Sequence, residues 1–370
     1  MPHFGGRILH VKGAKVASGG ANGGTERGAF AFDGHTGHSV MDTKEITFLF
    51  QGVVDKPLVR DSFAAVRRFF PGSKIILSTW QKADVDGLDY DELVLADDPG
   101  FFYYSDQPGE KANNVNRQIV GNRAGLERVE TPYCFRIRTD FRLTGNGFLQ
   151  FFDAFPKRDE AYALFSHKLL ACSYFSRNPR SRLRFPFHPS DLAFFGLTED
   201  IRKLYNVPLM TEEEALWDTG SKRYNRYTPE QHIFVNALRN AGREVPCAHY
   251  NDGNEASVEA TERYFASNFV FLSFSQFNLE PSKPTFFMKV HPNSFKTCYT
   301  HNEWIGLYQK HVDPKAVVPE HDGEREMIDR YYRPYKICRL IGNMISLPFK
   351  SKVKRRKIRT GVLEFFLMPR

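Results

Sequence analysis

Apolar, β-prone runs alternate with helix-like segments between residues 46 and 141, and this alternation restricts the possible folds more than any other property of the chain. After the first run, Phe63, Val66 and Phe70 recur at helical spacing. Strands that are apolar throughout belong inside a parallel sheet whose two faces are covered by helices. We therefore predict an α/β fold with a Rossmann-type, mostly parallel sheet flanked by helices. The four apolar runs are 46–54, 74–80, 91–98 and 133–141.

The second half of the chain is less regular, but it continues with both kinds of element. We expect strands near 162–170 and at 269–274, with a short strand or a turn at 191–196. We expect helices at 198–206, 211–217, 228–241 and near 301–311. The chain is predicted to consist of a disordered, Gly-rich segment at 1–42, a main α/β domain at 43–312, and a helical extension with a basic tail at 313–370.

Several protein classes are disfavoured by what the sequence lacks. No apolar run reaches the roughly 18 residues that a membrane-spanning helix needs. The five cysteines lie at least 38 residues apart, which argues against a disulfide framework or a compact zinc site and fits a reducing cytosol. The sequence also contains no secretory signal pattern, P-loop or GxGxxG motif. We therefore expect a cytoplasmic protein that is neither an NTPase nor a dehydrogenase.

The positive charge is concentrated at the end of the chain. The formal net charge is +8, and residues 350–370 hold eight basic residues and one acidic residue. A nearly neutral body argues against a broad nucleic-acid surface. Basic residues followed by Phe365 and Phe366 suit the anionic inner face of the cytoplasmic membrane, where the protein would be peripheral. A disordered soluble tail, or a last helix packed on the body, is the alternative.

Polar side chains stand at the ends of the predicted strands, where open α/β sheets bind their ligands. An amide, hydroxyls, carboxylates and an arginine together suit a base, a ribose and a diphosphate. Asp97 and Asp98 are adjacent, so an extended strand would point only one of them at the ligand, and a solvated turn is the alternative. The candidate binding residues at these ends are Gln51, Gly52, Thr79, Asp97, Asp98, Arg138 and Asp140.

The triplet Arg138-Thr139-Asp140 is the most informative of these strand ends. An aspartate beside a diphosphate can ligate Mg²⁺ or Mn²⁺, which prefer oxygen ligands. An aspartate that caps the following turn is the alternative. Because the triplet has a single carboxylate, the sequence leaves two possibilities open: a metal on Asp140, or activity without a metal.

A second polar cluster opens the helix predicted at 113–126. Asn113 suits the N-cap position, and Asn116 and Arg117 follow within the first turn. Helix N-termini attract phosphate, and arginine adds charge and bidentate geometry. We expect these three residues to bind a phosphate group, with an ordinary solvated helix face as the alternative.

Two further segments offer candidate catalytic residues. His188 and Asp191 lie within the aromatic motif FHPSDLAFFG at 187–196, which suits a sugar-binding platform with a few fixed polar groups or, alternatively, a buried turn. Glu230 lies at the second position of a helix whose start is marked by the capping residues Thr228 and Gln231. The helix dipole alone explains a carboxylate there, and a general base is the second interpretation.

Taken in order, seven segments of the chain resemble the WavE lipopolysaccharide synthesis family of bacteria. The resemblance implies a GT-A-like glycosyltransferase of the hexosyltransferase type that transfers a sugar from a nucleotide-sugar donor. The implied acceptor is lipopolysaccharide, capsule or another surface glycan, which can be lipid-linked. The matching segments are ITFLFQG (46–52), FPGSKIILSTW (70–80), ADDPG (96–100), NNVNRQI (113–119), FRIRTDFRL (135–143), FHPSDLAFFGL (187–197) and PEQ (229–231).

The resemblance also assigns roles to the candidate residues. Arg117, Arg138 and, if one binds, a Mg²⁺ or Mn²⁺ on Asp140 would offset the charge of the leaving diphosphate. If the reaction inverts the anomeric centre, Glu230 or Asp191 would take the proton of an acceptor hydroxyl beside His188. Two other classes stay open: a nucleotidyl- or polyol-phosphate transferase using the same site, and a non-catalytic, membrane-associated binding protein.

Overall fold

The fold is built on a seven-stranded sheet. In the computed structural model, the chain is described at residues 41–103, 112–217, 225–283 and 295–367. The expected disordered segment at 1–42 therefore lies almost entirely outside the described residues. The strands are β1 Ile46–Gln51, β2 Lys74–Trp80, β3 Glu92–Ala96, β4 Phe102–Tyr103, β5 Ala112–Asn113, β6 Tyr133–Arg138, β7 Phe141–Leu143, β8 Leu169–Cys172, β9 Ala193–Leu197, β10 Phe269–Leu272 and β11 Leu279–Pro281.

Helices cover this sheet and extend beyond it. The described α-helices are α1 Lys56–Phe69, α2 Val115–Leu126, α3 Thr198–Tyr205, α4 Glu212–Ala215, α5 Pro229–Asn240, α6 Glu255–Asn268, α7 His301–His311, α8 Gly323–Ser346 and α9 Lys352–Leu367. Short 3-10 helices lie at Thr43–Glu45 and Gly147–Phe151. Among the described helices, none combines the length and the apolar character needed to cross a bilayer.

The strand order in the main sheet is β10-β8-β9-β6-β1-β2-β3. All neighbouring strands are parallel except β9, which runs antiparallel to both β6 and β8. Two short antiparallel pairs, β7 with β11 and β4 with β5, lie outside this sheet. The predicted α/β fold with a mostly parallel sheet is confirmed, and it is consistent with a GT-A-like arrangement.

The central strands are fully buried because helices pack on them closely. All six residues of β1 are buried, and its Phe48 stacks on Phe135 of β6 with ring centroids 5.4 Å apart. Helix α2 approaches the sheet through two glycines. A Cβ at Gly125 would lie 3.0 Å from the Cβ of Ser78, and one at Gly121 would lie 2.7 Å from the Gln51 side-chain nitrogen. Larger residues at either position would push this helix away from the strand ends.

The eighth strand begins later than the sequence suggests. The expected strand at 162–170 is a strand at 169–172, preceded by a loop. In that loop, the backbone N–H groups of Leu164 and Phe165 donate to the Asn268 side chain. Those of Ser166 and His167 donate to Asp200. Side chains distant in sequence therefore satisfy backbone donors that a strand would otherwise have paired.

Most of the basic tail is helical rather than extended. Helix α9 covers residues 352–367 and packs antiparallel against α8, so that the Cα of Arg359 lies 3.3 Å from where a Cβ would stand on Gly342. Helix α8 in turn is joined to the body at its start, where Ser173 and the backbone of His301 donate to Glu324. The C-terminal region thus forms a helical hairpin attached to the sheet domain.

Candidate functional site

Arg138 and Asp140 form a paired group at the carboxyl end of β6. The guanidinium donates two parallel hydrogen bonds, Nε to Oδ1 at 2.9 Å and Nη2 to Oδ2 at 2.7 Å. Both side chains remain about one third exposed, at 33% and 28%. Burial works against the arginine's charge, but Asp140, Asp191 and Glu230 outweigh it and raise the pKa of Arg138. Arg138 therefore keeps its positive charge at the edge of the sheet, beside the carboxylate of Asp140.

Arg138 engages the carboxylate of Asp140, where the sequence left a divalent cation open. Both of its oxygens already accept hydrogen bonds from Arg138. In the described ranges, no three histidine, cysteine, aspartate or glutamate side chains are grouped as metal ligands. Mg²⁺ needs several oxygen ligands in nearly octahedral geometry. Asp140 could hold such an ion only together with water and the phosphate oxygens of a ligand, which is how proteins usually bind Mg²⁺.

Hydroxyl groups that follow or end β2 and β6 join these strands to the end of β1. Thr79 donates to the backbone oxygen of Gly52 at 2.9 Å, and Thr139 donates to that of Val53 at 2.8 Å. Gly52 has a φ of +141°, and a Cβ on it would lie 2.7 Å from the Thr139 hydroxyl. Gln51 is buried beside them. These contacts shape the sheet edge, and the side chains of Gln51, Thr79 and Thr139 are buried there.

Asp98 and Arg117 form a second paired group, after β3. The guanidinium donates to both carboxylate oxygens, with Nε 2.7 Å from Oδ1, and it lies 4.5 Å from the centre of the Phe101 ring. The hydrogen bonds from Arg117 lower the pKa of Asp98. Asp97 is exposed. In the sheet, β1 and β2 lie between β3, which this second group follows, and β6, which carries Arg138.

The two asparagines at the start of α2 have a structural role. The helix begins at Val115, and the predicted N-cap Asn113 lies in β5, where its side chain accepts from the Val115 N–H at 3.0 Å. The amide of Asn116 accepts from the backbone N–H of Met210 at 2.8 Å and donates to its oxygen at 3.0 Å. Both asparagines are buried. They fix the loop around Met210, whereas Arg117 pairs with Asp98.

Asp191, His188 and Glu230 come together beside Arg138. The His188 Nε2 lies 3.4 Å from a carboxylate oxygen of Glu230. The negative charges of Asp191 and Glu230 both raise the pKa of Arg138. His188 and Asp191 are 3% and 4% exposed, whereas the Glu230 side chain is 17% exposed. Glu230 is thus the carboxylate of this group that solvent or substrate reaches most easily.

Burial dominates the electrostatics of this group. Burial raises the pKa of Asp191, and the nearby Glu230 adds to the effect. Burial also raises the pKa of Glu230, while Arg177 and Arg138 oppose the shift. Burial lowers the pKa of His188 to about 3, so its imidazole is neutral at physiological pH. Two carboxylates with raised pKa values beside a neutral histidine have the properties of acid–base groups.

The start of α5 explains how Glu230 is presented. The capping box is made by Thr228 and Gln231: Thr228 Oγ1 accepts from the Gln231 N–H, and Gln231 Oε1 accepts from the Thr228 N–H at 3.1 Å. Pro229 occupies the first helical position. Since Gln231 completes the box, the cap does not require a carboxylate at Glu230. The helix start holds Glu230 facing His188.

Arg136 is a site residue that the sequence analysis missed. It lies in the middle of β6 and is fully buried, and its Nε donates to Asn122 at 2.7 Å. One Nη donates to the backbone oxygen of Asp191, and the other lies 3.4 Å from Gln51 Oε1. A charged residue inside an otherwise apolar strand was the available signal. Arg136 fixes the backbone of Asp191 and lowers that carboxyl's pKa, against the effect of burial.

Aromatic rings, several of them partly exposed, contact one another in a row that begins at His188. Phe185 stacks on His188 with centroids 6.0 Å apart, and Tyr250 meets Phe185 edge-on at 5.7 Å. His249 lies 6.2 Å from Tyr250, and Trp217 stacks on His249 at 5.3 Å. Stacked and edge-on rings of this kind form rigid apolar surfaces with polar edges.

Comparison with known protein families gives one clear match. The sequence profile described as WavE lipopolysaccharide synthesis matches residues 46–342, which is most of the chain and reaches into α8. No curated protein matches the chain. The family's description implies a biosynthetic role in lipopolysaccharide synthesis. Because the match covers the sheet, the helices around it and every candidate site residue named above, the chain belongs to the WavE lipopolysaccharide synthesis family.

Proposed function

We propose that the protein is a glycosyltransferase that moves a sugar from a nucleotide-sugar donor to a glycan of lipopolysaccharide, capsule or another surface polysaccharide. The observation that carries the proposal is the group at the carboxyl end of β6, where Asp191, Glu230 and His188 adjoin the cation of Arg138. Membership of a lipopolysaccharide synthesis family supports the same conclusion.

The donor would lie along the sheet edge between the two paired arginines. Arg138 lies at the end of β6 and Arg117 pairs with Asp98 after β3, and β1 and β2 lie between these two strands in the sheet. We propose that Arg138 offsets the charge that builds on the leaving diphosphate, without a metal on Asp140, because Asp140 is occupied by Arg138 itself.

The acceptor would lie on the aromatic rings beside His188. Sugars present apolar C–H faces that stack on aromatic rings, while a few polar groups fix their orientation. Phe185, Tyr250 and Trp217 supply such rings and are partly exposed. An acceptor sugar stacked there would bring a hydroxyl toward Glu230.

Glu230 is the better candidate for the base if the reaction inverts the anomeric centre. The acceptor oxygen forms a bond to the anomeric carbon, the bond from that carbon to the diphosphate oxygen breaks, and the electron pair leaves with the nucleoside diphosphate. The acceptor proton passes to Glu230, whose raised pKa brings it nearer to the working pH. Neutral His188, 3.4 Å away, orients the carboxylate, and Asp191 acts behind it.

The test compares Glu230→Gln with the wild type on a panel of UDP-, GDP-, CDP- and dTDP-sugars, using mass spectrometry to detect the glycosylated acceptor. We expect a loss of about 10²–10⁴ in transfer rate with little change in thermal stability. The matched control is Glu244→Gln, an exposed glutamate after α5, which should retain full activity. A Glu230→Gln variant that transfers sugar at the wild-type rate would contradict the assignment of the base.

The same panel separates the other classes. Turnover of CDP-alcohols but not of nucleotide sugars would indicate a polyol-phosphate transferase. Binding without any turnover would indicate a binding protein. We also propose that the enzyme works at the cytoplasmic face of the inner membrane, where basic residues 350–370 would meet anionic lipid and a lipid-linked acceptor.

A further inference from the structure

The hairpin of α8 and α9 has one face buried between its two helices. On α8, Tyr335, Cys338 and Ser346 are less than 9% exposed. The Arg359 Nε lies 3.2 Å from the Ser346 hydroxyl, and a Cβ on Gly342 would lie 3.6 Å from the Cβ of Val362. The pairing of the helices therefore accounts for the inner face of α8.

The outer face of α8 carries large apolar side chains that no described part of the chain covers. Ile337, Leu340, Met344 and Leu347 are 60%, 61%, 61% and 68% exposed. They are spaced three, four and three residues apart, so they lie in one stripe along α8 that ends at its C-cap, Leu347. We call these four residues the outer stripe. A contiguous apolar surface of this kind marks a site of interaction.

Positive charge surrounds the outer stripe. Toward the start of α8, Arg330, Arg333 and Lys336 precede it, and residues 350–370 follow it with eight basic residues and one acidic residue. In α9, Phe365 and Phe366 are also exposed, at 61% and 57%. A helix with apolar residues on one face and lysine and arginine around it is typical of segments that lie in the surface of an anionic bilayer.

We propose that the outer stripe of α8 inserts into the surface of an anionic membrane, with the basic residues of α9 contacting the lipid headgroups. The charge argues for this occupant over a second copy of the chain, since two hairpins that each carry this excess of basic residues would repel one another. The hairpin would lie in the interface and not span the bilayer. Such attachment would give access to a lipid-linked acceptor, and this benefit rests on the proposed function. The attachment itself does not rest on it.

The start of α8 is attached to the sheet domain by hydrogen bonds and ion pairs. Its first turn is fixed to the body, because Glu324 accepts from Ser173 at 2.7 Å and Arg325 contacts Glu303 at 2.7 Å. Lys296 pairs with Asp329 at 2.6 Å one turn later. A membrane that bound the distal half of the hairpin would therefore also hold the sheet domain at its surface.

The experiment is cosedimentation of the full chain with vesicles of phosphatidylcholine alone or with one quarter phosphatidylglycerol, at low and high salt and with no sugar donor present. The test variant is Leu340→Glu with Met344→Glu. Its matched control is Val317→Glu, which alters an apolar side chain that is 84% exposed outside the hairpin. Since burying two such side chains supplies much of the insertion energy, we expect the test variant to bind anionic vesicles at least about tenfold more weakly, while the control binds as the wild type does.

Three outcomes would overturn the proposal. The wild type could stay in the supernatant with anionic vesicles at low salt. The test variant could bind as tightly as the wild type, which would leave only the electrostatic contribution of the tail. The wild type could form a dimer that the test variant loses, measured by light scattering, without any vesicle binding. A Leu340→Ser, Met344→Ser variant repeats the test with no added charge, and none of these readouts depends on sugar transfer.

Discussion

Asp140 acts on the sheet edge through Arg138. Its two oxygens hold the guanidinium in one orientation, and the charge of Asp140 contributes to the raised pKa of Arg138. A bidentate arginine–carboxylate pair is geometrically specific, so the position of the cation depends on the aspartate. The carboxylate therefore matters for the proposed diphosphate-binding role even when it binds no metal.

Asp140→Asn keeps the shape of the side chain and removes its charge. We expect transfer to fall at least about 100-fold, the scale of losing one preorganised charged contact, because Arg138 would then turn toward Asp191 and Glu230. Steady-state kinetics at saturating donor provide the measurement. Asp89→Asn, which removes an exposed ion pair to Arg67 at the opposite ends of the strands, serves as the control and should remain active. Near-normal activity of Asp140→Asn would mean that the diphosphate binds elsewhere.

At the scale of elements, α5 connects stability with the candidate base. Its capping box satisfies backbone N–H groups at the helix start, and the same first turn carries Glu230 toward His188. Helix α7 has the same kind of box, formed by Thr300 and Glu303, but no candidate site residue lies on it. Variants of the two helices therefore separate the loss of stability caused by a missing cap from a loss of activity caused by a change at the site.

Thr228→Ala should cost about 1 kcal/mol of stability, the usual value of an N-cap, and should also slow transfer because the turn that holds Glu230 loosens. Thr300→Ala should cost at least as much stability, since Thr300 also donates to Asp322, but leave transfer unchanged. Denaturant unfolding and transfer assays on both variants supply the comparison. Equal activity of the two variants would show that the first turn of α5 does not need to be rigid.

The sequence predicted elements better than it predicted the contacts of polar residues. Periodicity located β1, β2, β6 and α1 because their apolar patterns are local. The roles of Asn113 and Asn116 could not be found in this way, because both bind Met210, more than 90 residues away. The meeting of His188 with Glu230 likewise depends on tertiary packing. The position of the strand ends at one sheet edge followed from topology, but the pairing of Asp98 and Asp140 with arginines did not.

At the scale of the whole molecule, the junction between the sheet domain and the hairpin determines how firmly the hairpin is attached. Glu324 lies in the first turn of α8 and accepts hydrogen bonds from Ser173, after β8, and from the backbone of His301, at the start of α7. Burial raises the pKa of Glu324 to about 7, and these two hydrogen bonds oppose the shift only in part. A junction that contains a carboxyl group with such a pKa makes the attachment of the hairpin sensitive to pH.

The sign of this effect follows from proton uptake. An unfolded glutamate has a pKa of about 4.5, so between pH 4.5 and about 7 the folded state holds a proton that the unfolded state has lost. Glu324 therefore favours the folded state most at low pH, and this contribution decreases as pH rises through that window and is constant above it.

Glu324→Gln removes the titration, so its stability relative to the wild type should increase from pH 4.5 to pH 7 and then level off. Urea unfolding of both proteins at pH 4, 5.5, 7 and 8 measures the difference, with Glu320→Gln, an exposed glutamate before α8, as the control. Parallel stability curves for wild type and Glu324→Gln would mean that Glu324 is already ionised in the folded protein, and that the junction holds the hairpin equally well across this range.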